Sequence, residues 1–476
     1  MTELFKQLDA ILHPRSIAFV GITTSNPFHW TRTFWTSTRS FEFQGPLYPV
    51  NPRGGELDGC RVYTSLDEVP DDIDFVISTV AARTAPEIMR KCASKGVRGI
   101  HFCTAGFAET GQEDVTGLQD ELARLSKETG IRIIGPNCMG VYCPESRVSF
   151  DTDFSRESGP VGLISQSGAN ANHIIKDANR RGVNFSKAIS YGNACDLNEC
   201  DLLEYMIEDP QTSIIAIYLE GVKEGRRFFN LMKRATAEKT VVLLKAGIGD
   251  AGARATATHT ASLSGSDNIW EAFCRQMNII RVANAEELVD VLVTLCYIPN
   301  PGGNNVVLIG PGGGSSVLIT DEFERRGFRL PRVPDSIVEE LVSFSETAGN
   351  MLRNPIDYSQ SIEDAGKVGR AVELLTRWDE IDLCVGFFRP SHAPQSVWYF
   401  MLDWGKSLME AFQRSHKPVA YILENVGPPD RHQINYQLQQ KFVEAKFPLY
   451  FTFPGAAAAL KKVIDYNEHR RAGAGF

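Results

Sequence analysis

The sequence predicts an α/β protein built from three consecutive domains, each a parallel β-sheet covered by helices. Two observations predict this fold class. Short apolar runs bounded by Gly, Pro or Asn alternate with longer segments of helical periodicity, which is typical of strand–helix–strand units. The alternation also stops and restarts twice, at stretches of polar or Pro/Gly-rich sequence. We therefore expect domains at residues 1–145, 158–298 and 304–470.

The first domain is predicted from short apolar strands separated by helical segments. Helical periodicity covers Ala85–Ser94 and Thr116–Thr129, and the polar stretch Glu145–Gly159 is the predicted linker. The strands are predicted at Ser16–Val20, Gly45–Val50, Phe75–Ser78, Gly99–Phe102 and Arg132–Ile134.

The second domain repeats the pattern after the linker. The strands are predicted at Val161–Ser165, Lys187–Ser190, Ile214–Tyr218 and Thr240–Lys245. The helices are predicted at Ala169–Arg180, Glu199–Ile207 and Arg226–Ala235.

The third domain follows a second linker, Pro299–Asn304, which is rich in Pro and Gly. A helix is predicted at Val317–Arg326, and the tail Arg470–Phe476 has no hydrophobic pattern, so we expect it to be disordered. The strands are predicted at Val306–Ile309, Leu383–Phe387 and Val419–Leu423.

Composition excludes several classes of protein. The chain has 476 residues, a formal net charge of −9 and no run of Lys or Arg, which argues against a nucleic-acid or membrane-surface partner. The N-terminal segment contains Asp and Glu and does not resemble a secretory signal, and no apolar stretch is long enough to span a membrane. The ten cysteines are scattered without the spacing of a zinc site. We expect a cytoplasmic protein with reduced thiols.

The first predicted strand runs into Gly21, where a Rossmann-like domain turns toward the phosphates of a nucleotide. The following residues do not form G-x-G-x-x-G, so the dinucleotide fingerprint is absent. Alone, this turn is as consistent with a structural role as with phosphate binding. Similar polar turns follow later strands, at Tyr48–Pro52, Thr104–Gly111 and Gly135–Val141. All of them lie at the carboxyl ends of parallel strands, where such sheets bind ligands.

In the second domain, Ser165, Ser167 and Gly168 form a short turn between a strand and a helix. The first N–H groups of a helix have no intrahelical partner, and the helix dipole favours an anion there. These three residues are therefore predicted to bind phosphate, although an ordinary Ser N-cap is the commoner use of such a turn.

His259 lies in a segment of Gly, Ala, Ser and Thr. Small residues give a mobile backbone, which suits a histidine that is phosphorylated in one place and delivered to another. A single histidine is more often an ordinary surface or packed residue, so this prediction depends on the neighbouring motifs.

In the third domain, Gly312, Gly313 and Gly314 connect a strand to a helix and are predicted to form a second phosphate-binding turn. A flexible loop is the alternative. Further along, Asn354-Pro355-Ile356-Asp357 is predicted to form a structural turn at the edge of the domain.

Together these motifs resemble the NDP-forming acyl-CoA synthetases of the succinyl-CoA synthetase superfamily, and especially the α-type subunit of ADP-forming acetyl-CoA synthetase. The resemblance covers about residues 12–465. It implies a Rossmann-like CoA-binding domain followed by two flavodoxin-like domains. It also implies an acid–thiol ligase in which His259 carries the phosphoryl group and Glu220, at a strand end, orients the imidazole.

The resemblance also implies ligands and partners. CoA is the implied ligand of the first domain, and no metal site is expected on this chain. ADP or ATP and Mg²⁺ are expected on a separate ATP-grasp β-type subunit, because the chain has no ATP-grasp module, in an α2β2-like hetero-oligomer. Residues expected at the CoA site are Gly21, Thr23, Thr24, Ser25, Asn51, Pro52, Arg53, Val80, Thr104 and Asn137.

The chain departs from the family in one loop, and its sequence leaves two alternative functions. The loop after Gly21 contains the bulky residues Phe28, His29 and Trp30, with Trp35 beyond them, where the family has small residues. This loop is expected either to contact CoA or to face a partner. A non-catalytic, CoA-binding regulatory subunit is one alternative function. An NAD-dependent oxidoreductase is the other, disfavoured by the missing dinucleotide fingerprint.

Overall fold

The computed structural model describes residues 2–252, 254, 266–310, 312–345, 351–358, 364–388, 406–407, 409–415, 417–424 and 432–473. They form two compact units. The first consists of residues up to 179 together with 184–288, and the second consists of residues 180–183 together with those from 289 onward. No helix among the described residues is both long and apolar enough to cross a lipid bilayer.

The first unit begins with a five-stranded parallel sheet of order β2-β1-β5-β6-β7 and a small hairpin, β3–β4. The first helix buries Phe5, Leu8, Ile11 and Leu12, and the Thr2 side chain caps it at Phe5 N. The strands are β1 Ile17–Val20, β2 Leu47–Val50, β3 Gly55–Leu57, β4 Cys60–Val62, β5 Phe75–Ser78, β6 Gly99–Phe102 and β7 Arg132–Ile134. The α-helices are α1 Glu3–Leu12, α2 Thr33–Ser40, α3 Ala85–Ser94 and α4 Glu113–Thr129.

The second sheet of this unit has six strands in the order β13-β12-β11-β9-β10-β8. The strands are β8 Gly140–Tyr142, β9 Val161–Ser165, β10 Phe185–Ser190, β11 Ile214–Leu219, β12 Thr240–Lys245 and β13 Ile280–Val282. The helices are α5 Gly168–Arg180, α6 Glu199–Glu208, α7 Gly225–Glu238, α8 Asp267–Gln276 and α9 Ala285–Tyr297.

Strand β8 differs from the expected organisation. It lies within residues 1–145, the predicted first domain, but it pairs antiparallel with β10 in the second sheet. The sequence analysis placed most of these residues in the turn Gly135–Val141, so the strand was not recognised. The domain boundaries themselves stay a prediction.

The second unit contains a six-stranded sheet of order β15-β16-β14-β17-β18-β19. The last helix continues to Arg471, so the first two residues of the tail predicted to be disordered, Arg470 and Arg471, are helical. The strands are β14 Val306–Gly310, β15 Met351–Leu352, β16 Ile356–Asp357, β17 Leu383–Phe388, β18 Val419–Leu423 and β19 Leu449–Tyr450. The helices are α10 Gly313–Arg325, α11 Asp335–Phe344, α12 Ala365–Thr376, α13 His432–Glu444 and α14 Phe453–Arg471.

The parallel strands of all three sheets follow the order 2-1-3-4-5 when they are counted within each sheet. This order reverses direction between the first and third strands, and ligands of open α/β sheets bind beside the carboxyl ends of these two strands. Several of these parallel strands, among them β9 and β11, are buried along their whole length, which explains their continuous apolar runs. The predicted α/β class with parallel sheets is confirmed.

Candidate active site

Gly21 forms the turn after β1, the first strand of the first sheet. Its φ of +88° lies in the left-handed region, and a Cβ there would approach Val80 N to 3.0 Å. The Gly21 N–H donates to Val50 O at 3.0 Å. The structure therefore brings Gly21 and Val80 together beside the end of β2, and only glycine suits this turn.

Asn51 ties the turn after β2 to the loop after β1. Its Nδ2 donates to Ile22 O at 2.8 Å, and its Oδ1 accepts from Arg53 N at 3.0 Å. Pro52 and Arg53 are exposed at the tip of this turn. Asn51, Pro52 and Arg53 therefore border the same loop as Gly21, at the edge where the sequence predicted the CoA site.

The loop after Gly21 is held by hydroxyl groups. Thr23 N donates to Thr31 Oγ1 at 3.3 Å, and the hydroxyl oxygens of Thr23 and Ser25 are 3.4 Å apart. Thr24 is half-buried and Ser25 is exposed. The three predicted CoA contacts at positions 23–25 therefore form a compact polar loop.

Thr104 and Asn137 follow β6 and β7 at the same edge of the sheet. Asn137 N donates to Thr104 O at 3.1 Å, so these two predicted residues are neighbours. Among the described residues, no hydrogen bond joins this pair to the loop after Gly21. The Thr104 hydroxyl is buried without a hydrogen-bond partner among the described residues, so it can accept or donate to a ligand.

The bulky residues after Gly21 separate into two groups. Phe28 is 95% exposed and Trp30 49% exposed, on the loop itself. Trp35, in contrast, is fully buried, packs edge-on against Phe19 and donates from Nε1 to Asp58 Oδ2 at 2.8 Å. Trp35 is therefore a core residue of the first domain and cannot contact a ligand or a partner.

The predicted phosphate-binding turn lies at the switch point of the second sheet. Ser165 is the last residue of β9, and its Oγ donates to Ser167 O at 2.7 Å. Helix α5 begins at Gly168, and the Ser167 hydroxyl accepts from Asn170 N at 3.3 Å. A Cβ at Gly168 would lie 2.6 Å from Met139 Cγ, so the helix start is closely packed. The Ser167 side chain therefore caps α5, as the alternative interpretation expects. The helix start that phosphate binding requires is present at the same turn.

Glu220 follows β11, the strand that pairs with β9 across the switch point. It is 6% exposed, and its Oε1 accepts from Tyr218 Oη at 3.2 Å. The backbone N–H groups of Glu220 and Gly221 donate to Gln166 Oε1 at 2.8 and 3.2 Å. The Gln166 side chain thus fixes Glu220 beside the Ser167 turn, and the sequence-predicted residues Ser165, Ser167, Gly168 and Glu220 come together.

A buried lysine adjoins Glu220. Lys245, the last residue of β12, is 3% exposed, and its Nζ donates to Glu220 O at 2.8 Å and to Ala246 O. Its Nζ also lies 5.5 Å from the centre of the Trp270 ring, within cation–π range. Burial lowers the pKa of Lys245 to about 8, and the nearby Glu220 opposes that shift. The site therefore combines a buried carboxylate and a buried amine.

His259, the predicted phosphoryl carrier, lies outside the described residues. The described chain runs to Gly252, includes Arg254 and resumes at Ser266. The assignment of His259 stays a prediction.

The helix start of the third sheet has a different cap. Gly312 has φ +105°, helix α10 begins at Gly313, and a Cβ on Gly314 would meet nothing within 4 Å. The Asp357 Oδ1 accepts from Gly312 N at 2.8 Å, and Asn354 donates to Val306 O at 2.8 Å. The signature predicted as a structural turn therefore also places a carboxylate at the predicted phosphate-binding turn.

Sequence reasoning missed the roles of three residues here. Gln166 positions Glu220, Asp357 caps α10, and Lys245 supplies a buried amine. The one available signal was Lys245, a charged residue that ends an apolar strand. No cluster of His, Cys, Asp or Glu within the described part of the chain has the arrangement of a metal site.

Family models match two parts of the chain. Residues 15–144 match a CoA binding domain, and residues 158–295 match a succinyl-CoA ligase like flavodoxin domain. The first match covers the turns at Gly21 and Asn51, and the second covers the Ser167 turn, Glu220 and the segment containing His259.

Two curated relatives extend the likeness. The α subunit of acetate–CoA ligase [ADP-forming] II from Pyrococcus furiosus is 34% identical over 378 residues, which cover 79% of this chain and 81% of the relative. The 4-hydroxybutyrate–CoA ligase [ADP-forming] from Nitrosopumilus maritimus is 30% identical over 463 residues, covering 96% of this chain and 64% of that longer protein.

A solved structure is similar over nearly the whole chain. It is the dinucleotide forming acetyl-coenzyme A synthetase 1 of Ca. Korarchaeum cryptofilum, determined in complex with phosphate and ADP. The TM-score is 0.80 at 28% identity, with 98% of this chain and 97% of the other covered. The alternative of a non-catalytic regulatory subunit finds no support among these relatives. With two family models and an α subunit matched over most of its length, the chain belongs to the ADP-forming acyl-CoA ligase family, whose members are acid–thiol ligases.

Proposed function

We propose that this chain is the α-type subunit of an ADP-forming acyl-CoA synthetase, which converts acyl-CoA, phosphate and ADP to a carboxylic acid, CoA and ATP. The observation that carries the proposal is the meeting of Glu220 with the Ser167 turn at the switch point of the second sheet. A helix start favours an anion, and a buried carboxylate suits a nucleophilic imidazole.

The reaction proceeds in three steps. A phosphate oxygen attacks the acyl carbon, the C–S bond breaks, and CoA leaves as its thiol with an acyl phosphate as the other product. A ring nitrogen of His259 attacks the phosphorus, the P–O bond to the acyl group breaks, and the carboxylate leaves. An oxygen of the β-phosphate of ADP then attacks the phosphorus, the N–P bond breaks, and ATP forms.

Residues of this chain supply charge and orientation to the first two steps. The N–H groups at the start of α5, with Ser165, Ser167 and Gly168, stabilise the phosphate dianion. Glu220 accepts a hydrogen bond from the His259 imidazole, which keeps the other ring nitrogen nucleophilic and stabilises the cationic ring of the phosphorylated form.

Gly312, Gly313 and Gly314 are proposed as the second phosphate-binding turn. A phosphate at this turn would compete with the Asp357 carboxylate for the Gly312 N–H group. We therefore assign to this turn a smaller share of phosphate binding than to the start of α5.

CoA is assigned to the carboxyl edge of the first sheet. The close approach at Gly21, the exposed turn at Pro52 and Arg53, and the Thr104 hydroxyl, which has no partner among the described residues, fit a ligand with phosphate and amide groups. Trp30 offers a half-exposed ring for stacking on an adenine. A Trp30→Ala variant is expected to weaken CoA binding about tenfold, or about 1.4 kcal/mol, by calorimetry. Unchanged CoA affinity with loss of subunit association would assign the loop to a partner.

The third step requires a separate ATP-grasp β-type subunit that binds ADP or ATP and Mg²⁺, in an α2β2-like assembly. Two comparisons support this proposal. One matched relative is named as an α subunit, and the chain covers only 64% of a longer single-chain relative. The purified chain alone should therefore show no measurable ADP affinity by calorimetry.

The proposal is tested by trapping the phosphorylated chain. The full chain is incubated with radioactive phosphate and a panel of acyl-CoA thioesters that includes acetyl-CoA, and phosphohistidine is identified by its acid lability and by peptide mass spectrometry. We expect label on the peptide that contains His259 and none in His259→Ala, which should still bind CoA within a few-fold. Equal labelling of His259→Ala, or no label on the natural chain with any thioester, would overturn the proposal.

A further inference from the structure

Asn193 lies in the turn after β10 and links the second sheet to the first. Its backbone N–H donates to Pro136 O at 3.0 Å, and the N–H of Cys195 donates to Gly135 O at 3.0 Å. A Cβ at Gly192 would lie 2.3 Å from Pro136 O, so glycine is required for the two turns to pack this closely. The turn after β10 therefore lies directly against the turn after β7, at the carboxyl edge of the first sheet.

The side chain of Asn193 contacts three residues from the part of the chain that matches the CoA binding domain. It is 6% exposed, its Nδ2 donates to Glu109 Oε2 at 2.5 Å and to Gln119 Oε1 at 2.9 Å, and its Oδ1 accepts from Asn137 Nδ2 at 3.3 Å. A carboxylate can only accept hydrogen bonds, so a donor is required opposite Glu109. The Asn193 amide supplies two donors and an acceptor, a combination that no other side chain of its size offers.

Glu109 in turn holds the loop that follows β6. Its Oε1 accepts from Gly106 N at 2.5 Å and from Phe107 N at 3.1 Å. Burial alone would raise the pKa of Glu109, but hydrogen bonds from the Gly106 N–H and the Asn193 amide outweigh burial, and the pKa is lowered. The side chain is therefore an ionised carboxylate at neutral pH, and it joins this loop to the turn after β10.

The loop held by Glu109 and the side chain of Asn137 border the proposed CoA site. The loop begins at Thr104, whose hydroxyl is buried without a partner among the described residues and whose carbonyl accepts from Asn137 N. Asn137 is half-buried, so a ligand can reach it. The turn after β10 also adjoins the proposed phosphate turn, because Tyr191 N donates to Ser165 O at 3.0 Å. The thioester of an acyl-CoA has to reach that phosphate, which assigns this side of the first sheet to the pantetheine arm.

We propose that Asn193 is a positioning residue for the pantetheine arm of CoA, because it holds the Asn137 amide and the loop after β6 in the arrangement that binds the amide groups of the arm. Asn193 lies beyond the residues that match the CoA binding domain, so a residue that follows this domain shapes its ligand site. Contacts that fix binding groups in advance raise affinity, since the ligand does not have to order them. The inference rests on the proposed CoA site and involves no residue of the segment that contains His259.

Calorimetry on the full chain tests the inference with two ligands, CoA and adenosine 3′,5′-bisphosphate, which lacks the pantetheine arm. Asn193→Asp keeps the shape of the side chain but replaces its two donors with an oxygen that faces the Glu109 carboxylate. We expect the dissociation constant for CoA to rise at least about tenfold and that for the bisphosphate to stay within about twofold. A purely structural role would weaken both ligands alike or neither, and either result would overturn the inference.

The matched control is Asn198→Asp. Asn198 also follows β10, is 8% exposed and donates from Nδ2 to a carboxylate oxygen, Glu224 Oε1, at 2.8 Å. The same change of atoms at this position should leave both dissociation constants within about twofold of those of the natural chain. A loss of CoA affinity as large as that of Asn193→Asp would refute the positioning role, because any disturbance of this segment would then be sufficient.

An exchange of the two groups provides a rescue. When Asn193→Asp is combined with Glu109→Gln, the new amide can donate to the new carboxylate and still accept from the Gly106 N–H. CoA affinity should then return to within about threefold of the natural value, and no recovery would contradict the role of the Glu109 contact. If Asn193→Asp does not fold, Glu109→Gln alone takes its place, with CoA affinity at least about threefold lower and bisphosphate affinity unchanged. A natural chain that binds no CoA contradicts the proposed CoA site as well, whereas equal CoA affinity in the natural chain and the variants contradicts this inference alone.

Discussion

The second and third sheets share one strand order, but the residues at the ends of their second strands have different roles. In the second sheet, Ser190 pairs in register with Ser165, and Tyr191 follows it. In the third, Asp357 pairs in register with Gly310, and its carboxylate caps the helix start at Gly312. In the third sheet a carboxylate therefore accepts a hydrogen bond from the backbone of the turn. In the second sheet small hydroxyl groups border the corresponding turn.

The fourth parallel strands of the second and third sheets, β12 and β18, also end in different kinds of residue. Lys245 ends β12 opposite Leu219, whereas Leu423 ends β18 opposite Phe388. A buried amine in the second sheet thus corresponds to an apolar side chain in the third. Burial of charge is costly, so a buried amine at the second sheet agrees with the proposal that the chemistry is concentrated there.

The comparison between the two sheets predicts its largest effect on the rate of the full reaction. Glu220→Gln keeps the shape of the site and removes the charge, so we expect the full reaction with the partner subunit to slow by about 10²–10⁴-fold, as for an orienting carboxylate in hydrolytic triads. Steady-state rates at saturating phosphate measure this. A loss of less than about threefold would make Glu220 a structural residue.

The matched control for that variant is Asp357→Asn. Asp357 is also buried at a strand end beside a glycine turn, but its carboxylate accepts from a backbone N–H. We expect a lower thermal midpoint and a rate within about tenfold of the natural chain, because a cap contributes mainly to stability. A larger loss of rate in Asp357→Asn than in Glu220→Gln would reverse the comparison.

Gly168→Ala tests whether the start of α5 is as closely packed as the geometry indicates. A Cβ at Gly168 would lie 2.6 Å from Met139 Cγ and 3.2 Å from Met139 N. Overpacking of this kind costs about 1–3 kcal/mol, and the helix start should shift away from Glu220. Chemical denaturation measures the first effect and phosphate KM the second. Stability equal to that of the natural chain would mean that Met139 moves aside without cost.

The strands could be predicted from the sequence because they are buried on both faces. Val161–Ser165, Thr240–Lys245 and Val419–Leu423 agree with the prediction at both ends, since continuous apolar runs end where the sheet does. The short strands β8 and β19 were missed, because β8 lies mostly within a predicted turn and the two residues of β19 carry no periodicity. The turns at strand ends could also be predicted, because each follows an apolar run and the carboxyl ends of parallel strands lie at one edge of a sheet.

Side-chain partners could not be predicted in the same way. Gln166 is adjacent to Ser167 in sequence, yet its role depends on the strand that carries Glu220, 54 residues further along the chain. Asp357 lies 45 residues from the Gly312 N–H group that it caps. Such contacts depend on strand order, and the sequence patterns indicated strands and turns without their order.

The pH dependence of stability tests the contrast between Lys245 and Leu423. The pKa of Lys245 is about 8 in the folded chain, below its value of about 10.4 in an unfolded chain. The unfolded state therefore binds more protons between these values, so stability rises with pH across this window. Relative to Lys245→Met, the natural chain should gain about 2 kcal/mol between about pH 7.5 and about pH 9.5. Parallel urea titrations of the two proteins measure the difference, and identical pH slopes would contradict the lowered pKa.

The smallest effect has the opposite sign from that at Gly168 and concerns the start of α10. A Cβ at Gly314 would meet nothing within 4 Å, and the residue lies in the first turn of the helix. Gly314→Ala should therefore stabilise the protein by about 0.5–1 kcal/mol, through helix propensity and a less flexible unfolded chain. The same variant examines the phosphate assignment, because a ligand that approaches the Gly314 N–H closely would be crowded by the new methyl group. Raised stability with an unchanged phosphate KM would leave phosphate binding to the second sheet alone, whereas raised stability with a higher phosphate KM would show that both helix starts contact it.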